Sequence, residues 1–260
     1  MQIKELKCFG ESEGQGNPAL VITNSQFTIN ERSAFAKMRN TTCVFLDPCD
    51  DPGTVCSLDY FYPHARSSLC LHATLAAAFV LLAENDGPVM AKTSLHGQQL
   101  LISRIGVEYF VHLSRQVAPQ VEVNHALVRS LLAAPDAEFP SPPVVASVGS
   151  PKLCIEVENL TVLYALNPDL TLISNWSKEN GVSGCYVYCR LADHSLEGRN
   201  FNHINPALED AATGVAAGAL TEILGHGIIL RQGYSTGKSC RMVTSIEGNK
   251  ILVGGKVERP

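Results

Sequence analysis

Charge is scarce in this 260-residue chain: 17% of its residues are charged, 45% are hydrophobic, and the net charge is −5. The lysines and arginines are dispersed, so no basic stripe exists to track a phosphate backbone, and nucleic acid is excluded as an expected partner. Long apolar runs are missing as well. The longest, over residues 69–83, is interrupted by His72 and Thr74 and falls short of the roughly 20 residues that cross a bilayer. It reads as a buried helix, and no membrane association is expected. The N-terminus has no basic-then-apolar signal pattern, so a cytoplasmic location is expected. Nine cysteines are present, an odd count with no C-x-x-C pair. That pattern argues against a disulfide framework and against a zinc site. Free thiols that fill core space are expected, with no metal and no cofactor.

What remains is a chain patterned as α/β in two similar halves. In the first half, alternation and turn residues predict strands over 3–9, 19–23, 43–47, 58–62, 99–104 and 108–113. Asn30 is placed to cap a helix over 31–39, and a second helix is expected over 71–85. This second helix is apolar nearly all round, so it must be surrounded by protein, and a sheet wrapped around it is the simplest solution. A junction falls near 114–120. In the second half, helices are predicted over 124–133, 168–180 and from Thr213 to a stop at Gly225, with strands over 144–148, 160–165, 184–191, 198–203, 230–232, 240–245 and 251–257. The expected domains are 1–115, possibly completed by a C-terminal strand over 246–260, and 116–245.

His72 and Asp210 stand at the entrances of the two helices with buried character. Helix N-termini leave N–H groups unpaired and carry partial positive charge, so two such ends form a receptor for a carboxylate. The plain alternative is a satisfied core histidine and a simple helix cap. The segment Gly233-Tyr234-Ser235-Thr236-Gly237-Lys238-Ser239 is one residue short of a phosphate loop and reads as a turn between strands.

Five elements in order carry a family resemblance. They are Gly16-Asn17-Pro18-Ala19-Leu20-Val21; Tyr60-Phe61-Tyr62-Pro63 followed by Leu69-Cys70-Leu71-His72-Ala73-Thr74; Arg199-Asn200-Phe201 through Pro206; Glu209-Asp210-Ala211-Ala212-Thr213-Gly214; and Arg231-Gln232-Gly233 with Val253-Gly254-Gly255. Together the chain resembles the PhzF-like family of the diaminopimelate-epimerase fold. The resemblance implies two similar domains, each a curled β-sheet or barrel around a central helix, with a cleft between them where a small carboxylate-bearing metabolite binds. It implies an isomerase or epimerase that needs no cofactor, and a homodimer. His72 and Asp210 are then the acid/base residues, and Asn17, Leu71, Ala73, Gly149, Thr213, Gly214 and Val215 line the ligand.

The sequence departs from the family pattern where chemistry is concentrated. Met38-Arg39-Asn40-Thr41-Thr42-Cys43-Val44-Phe45 aligns with S-E-T-x-F, so Thr42 holds the position of the family's Glu. A threonine hydroxyl has no useful basicity near neutral pH. Leu71 replaces the Gly of C-G-H, and Val215 the Ser after T-G. Cys70 is a substitute base, because a helix entrance lowers a thiol pKa. Three readings stay open: a remodelled isomerase, a non-catalytic binding or accessory protein, and a lyase or cyclase. A His72 that gains charge as the pH falls toward about 6 is expected to strengthen carboxylate binding.

Overall fold

The helix expected over 71–85 and the one starting at Thr213 form the centres of two units in the computed structural model, which describes residues 1–85, 87–203, 205 and 208–260. Pro206, the end of one motif above, lies outside the described residues. The first unit holds Met1–Leu113 with Gly254–Pro260, and the second holds Ser114–Val253.

In the first unit the elements run β1 (Gln2–Cys8), β2 (Asn17–Thr23), α1 (Ile29–Arg39), β3 (Thr42–Asp47), β4 (Thr54–Phe61), β5 (Arg66–Ser67), α2 (Leu71–Leu81), β6 (Val89–Thr93), β7 (Gln99–Ile105) and β8 (Glu108–Ser114). The strand order is β1-β2-β3-β4-β6-β7-β8, followed by the last strand of the chain, β15 (Lys250–Glu258). Lys7 and Cys8 pair with Glu258 and Val257, so eight strands close into a barrel. Helix α2 packs on β1, β2 and β3, and nine of its eleven residues are buried, as all-round apolarity requires.

The pleat sorts the side chains of these strands between two helices. Leu20, Ile22, Cys43, Phe45 and Phe61 pack outward against Phe35 and Ala36 of α1. Residues of the other parity, Thr42, Val44 and Tyr60, therefore face inward, and the Tyr60 hydroxyl meets Thr74 Oγ1 of α2 at 2.7 Å. Helix α1 starts two residues earlier than expected. Thr28, not Asn30, is the N-cap, in a capping box with Glu31. The reciprocal Thr28–Glu31 bonds satisfy two amides where Asn30 would satisfy one.

The second unit contains α3 (His125–Leu132), β9 (Val144–Ala146), β10 (Lys152–Glu156), α4 (Leu160–Ala165), α5 (Leu170–Asn180), β11 (Cys185–Arg190), β12 (Leu196–Phe201), α6 (Gly214–Leu224), β13 (Ile229–Gln232), β14 (Cys240–Glu247) and the first residues of β15. The strand order is β15-β14-β13-β12-β11-β10-β9. Helix α6 packs on β14 and also on β9 and β10. One helix reaches strands near both ends of the order only if the sheet curls around it. The outer face of this sheet carries Leu153, Ile155, Cys185, Val187 and Phe201 against Leu131, Leu163, Ile173 and Trp176 of α3, α4 and α5.

The strand expected over 160–165 is instead the helix α4. Asn159 accepts from the Val162 amide at 3.0 Å, and Leu163 drops into the outer core; cap and packing override the β-leaning composition of the segment. The strand β10 was not expected from the sequence. The Gly233–Ser239 segment is a turn between β13 and β14, with Tyr234–Thr236 as a single 3-10 turn.

Candidate active site

The α2 end of the first unit gathers several of the expected residues. The far end of the barrel is marked by one cleft lined by Thr23, Asp47, Val80 and Leu81, which are the ends of β2, β3 and α2. The starts of those elements, Asn17, Thr42 and Leu71, therefore lie at the opposite end. β2 and β3 run parallel with Ala19 opposite Thr42. Thr42 is buried and faces α2.

Cys70 is the N-cap residue of α2 and makes no side-chain cap hydrogen bond. Its Sγ lies 3.4 Å from His72 Nδ1. His72 is 6% exposed, and burial pushes its pKa down to about 4, because a charged imidazole would lose its hydration. The expectation that His72 takes a proton near pH 6 is therefore corrected: at that pH the ring is neutral. Leu71 and Ala73 are buried beside it, so the Leu71 side chain is packed into protein.

The second unit assembles the entrance of α6 from four adjacent strands. Parity again sorts the chains. With Leu153, Val187 and Phe201 facing outward, Lys152, Tyr186, Gly198 and Asn200 face α6, and Gln232 of β13 stands beside Gly198. The Tyr186 hydroxyl donates to Gln232 Oε1 at 2.8 Å. The same oxygen accepts the Thr213 amide at 3.1 Å, and Gln232 Nε2 donates to the Asp210 carbonyl at 2.8 Å and to Thr213 Oγ1 at 3.1 Å. One carboxamide thus ties the loop bearing Asp210 to the N-cap residue of α6. Gly198 leaves room for the phenol: a Cβ there would lie 2.4 Å from the Tyr186 hydroxyl oxygen.

From the outer side, Arg199 forks onto Glu209 at 3.0 and 2.8 Å and donates to the carbonyls of Leu163 and Leu166. The Arg and Glu of the family motifs hold the Asp210 loop against α4. Asp210 itself accepts from Thr213 Oγ1 at 3.4 Å. Burial of its carboxyl pushes the pKa up, while Lys152 and the side chains of Thr213 and Asn200 pull it back. Thr213 is the N-cap of α6, again with no side-chain cap bond, and Gly214 and Val215 form the first turn. Gly149 follows Val148, whose methyl lies where a Cβ on Gly218 of α6 would sit; its amide donates to Ser147 Oγ at 3.3 Å.

Sequence reasoning placed His72, Cys70, Asp210 and Thr213 at two helix entrances but missed Lys152, Tyr186, Asn200 and Gln232 as members of the second. Only strand parity within a known sheet order brings those four together. Among the described residues no group of three or more His, Cys, Asp and Glu side chains has an arrangement that holds a metal.

The comparisons with known proteins extend over the same elements. The family model for phenazine biosynthesis-like protein, PhzC-PhzF, matches residues 6–256. The uncharacterized isomerase YddE of Escherichia coli (strain K12) is 27% identical over 232 residues, covering 85% of this chain and 76% of YddE. Among solved structures, a PhzF-family phenazine biosynthesis protein of Bacillus anthracis superposes with a TM-score of 0.80 at 21% identity, covering 100% of this chain and 97% of that one. A Pseudomonas aeruginosa protein described as a predicted epimerase gives 0.81 at 23% identity, covering 99% of this chain and 96% of that one. These likenesses agree with the epimerase-type fold of two units, and with curated relatives that carry the name isomerase. The chain belongs to the PhzC-PhzF family.

Proposed function

We propose that this chain is a cofactor-independent isomerase or epimerase that moves a proton on a small carboxylate-bearing metabolite, with His72 and Asp210 handling the proton. One observation carries the reading. Helices α1, α3, α4 and α5 each have an N-cap side chain that accepts from a first-turn amide, whereas α2 and α6 have none. The two uncapped helices are the two buried ones, and they are the two that begin beside His72 and Asp210. First-turn amides that no cap side chain claims suit an incoming carboxylate.

The acid/base character of the two groups supports the same reading. Burial moves the histidine down and the carboxyl up, each toward its neutral form. The neutral imidazole is a proton acceptor at neutral pH. Thr42 adds no charge where the family carries a carboxylate, which favours an anionic ligand. The family resemblance further supports a cytoplasmic homodimer.

The test is incubation with a panel of cyclic and linear carboxylates in heavy water, read by mass spectrometry, with calorimetry in parallel. Deuterium uptake that is abolished in His72→Gln and Asp210→Asn supports the reading. Binding without uptake across the panel would replace it by the accessory-protein reading, and a change in composition or ring count of the ligand by the lyase or cyclase reading. Uniform failure to bind at millimolar concentration would leave only the fold.

A further inference from the structure

Three rings of the first unit lead from solvent to the interior. His64 is exposed, Tyr62 is half-buried and His72 is buried. The Tyr62 and His64 rings stack with centroids 5.6 Å apart at 12°, and the Tyr62 and His72 rings lie 6.5 Å apart, tilted by 49°. Both separations are within the range of aromatic contact.

The turn that carries Tyr62 is braced from several directions. It joins β4 to β5, and the Tyr62 amide donates to the Ala65 carbonyl at 2.7 Å, around Pro63, whose ring fixes its own φ. Behind the turn, Phe61 pairs with Arg66 and Tyr60 with Ser67. Arg66 Nε donates to Asp59 Oδ1 at 2.8 Å, and Arg32 of α1 donates to Asp59 Oδ2 at 3.1 Å. Asp59 is 3% exposed, so a buried carboxylate ties the hairpin to the helix outside it. Ser67 Oγ then donates to the Leu69 carbonyl at 2.9 Å, one residue before Cys70. A ring on such a turn is already ordered before any ligand arrives.

We propose that Tyr62 is a positioning residue for His72: its ring, held by the β4–β5 turn, is the cover that closes the imidazole off from water. This rests on the reading of His72 as a proton-handling group. An imidazole kept from water stays neutral, with a ring nitrogen free to accept a proton. Charge from neighbours is a poor substitute for the cover. Strand parity turns Cys8, Cys56 and Tyr60 toward α2. Burial pushes Cys56 up to about 12 and Tyr60 higher still, so both stay uncharged at working pH. The Cys70 thiol lies against His72, His64 stacks on Tyr62, and Arg66 is paired with Asp59. Burial is the cause that moves His72 itself.

The experiment is carbon-13 NMR titration of histidine-labelled protein, with the His72 ring resonance assigned by His72→Gln. In the unaltered protein its inflection should lie at about pH 4. In Tyr62→Ala it should rise by about one pH unit, a roughly tenfold stronger hold on the proton. Tyr62→Phe, which keeps the ring, should leave it in place. An unmoved inflection in Tyr62→Ala overturns the proposal, and so does an equal rise in Tyr62→Phe. If Tyr62→Ala does not fold, brief labelling of the unaltered protein with diethyl pyrocarbonate decides by peptide mapping: His64 should react and His72 stay unmodified, and equal labelling overturns the cover. Where a carboxylate is turned over, the acid limb of kcat/KM should follow the NMR value in Tyr62→Ala and return in Tyr62→Phe. Where none is, the proton-handling reading fails, while the titration still judges Tyr62 as the cover of His72.

Discussion

Cys70 Sγ sits 3.4 Å from His72 Nδ1, two residues apart on the first turn of a helix whose side chains are almost wholly enclosed. The thiol is buried, so its closeness to the imidazole does not expose it to reagents in solution. Of the nine cysteines, only Cys49 has intermediate exposure. Brief treatment of the folded protein with iodoacetamide should therefore label Cys49 first and leave Cys70 unmodified, as read by peptide mass mapping. Equal labelling of the two would mean that the α2 entrance opens to solvent.

The buried imidazole also makes stability depend on pH. His72 has a pKa of about 4 in the folded chain against about 6.5 when unfolded. Between those values the unfolded chain binds a proton that the folded chain refuses, so the stabilising effect is full above about pH 6.5 and is lost as the pH falls toward 4. Between pH 7 and pH 5 the loss from this one group is on the order of 2 kcal/mol. Urea midpoints at the two pH values should draw closer together in His72→Gln than in the unaltered protein. An unchanged gap would remove His72 as the cause.

Gly198 is predicted to be a sensitive position although it touches no ligand. A Cβ there meets the Tyr186 phenol at 2.4 Å, so Gly198→Ala must push the ring away from Gln232 and loosen the tie between Thr213 and Asp210. A loss of about 1–3 kcal/mol is expected from such overpacking, measurable by urea denaturation. A neutral result would show that the ring has somewhere else to go.

Thr42, which the resemblance of the sequence aligns with the family's glutamate, predicts a negative result. General acid–base assistance contributes on the order of 100- to 10,000-fold, and Thr42 cannot provide it. Incubated in heavy water with trans-2,3-dihydro-3-hydroxyanthranilate, a compound on which the resemblance implies that one family member acts, the protein should incorporate no deuterium. Rapid uptake by the unaltered chain would mean that another residue is the base for this compound.

Much of this was legible in the sequence, for reasons that differ from place to place. The central helices declared themselves because Leu71 onward and Gly214 onward are apolar on every side, and the Gly225 stop of α6 is a left-handed cap. Thr28-Ile29-Asn30-Glu31 contained its capping box in plain view, and the nearer asparagine drew the reading two residues too far. Leu160-Thr161-Val162-Leu163-Tyr164-Ala165 was misread because β-branched and aromatic residues favour strands, while the deciding contact of Leu163 is made in three dimensions. Lys152-Leu153-Cys154-Ile155-Glu156 was passed over because charged ends suggest exposure. Lys152 finds its partners at Ser183 and Asn200, and Glu156 finds Arg190 and Ser141, none of them local. Half of the candidate site, the cradle around Asp210, is of this kind.

One strand, β15, serves two units: its first residues belong to the second and those from Gly254 onward to the first. The pairing of Cys8 with Val257 joins positions at nearly opposite ends of the chain, so a ribosome must make almost all of it before the barrel can shut. Until then β1 offers an unpaired edge, while the second unit, contiguous over Ser114–Val253, is free to fold as it emerges. The order of folding would then run against the order of synthesis, with the N-terminal barrel finishing last.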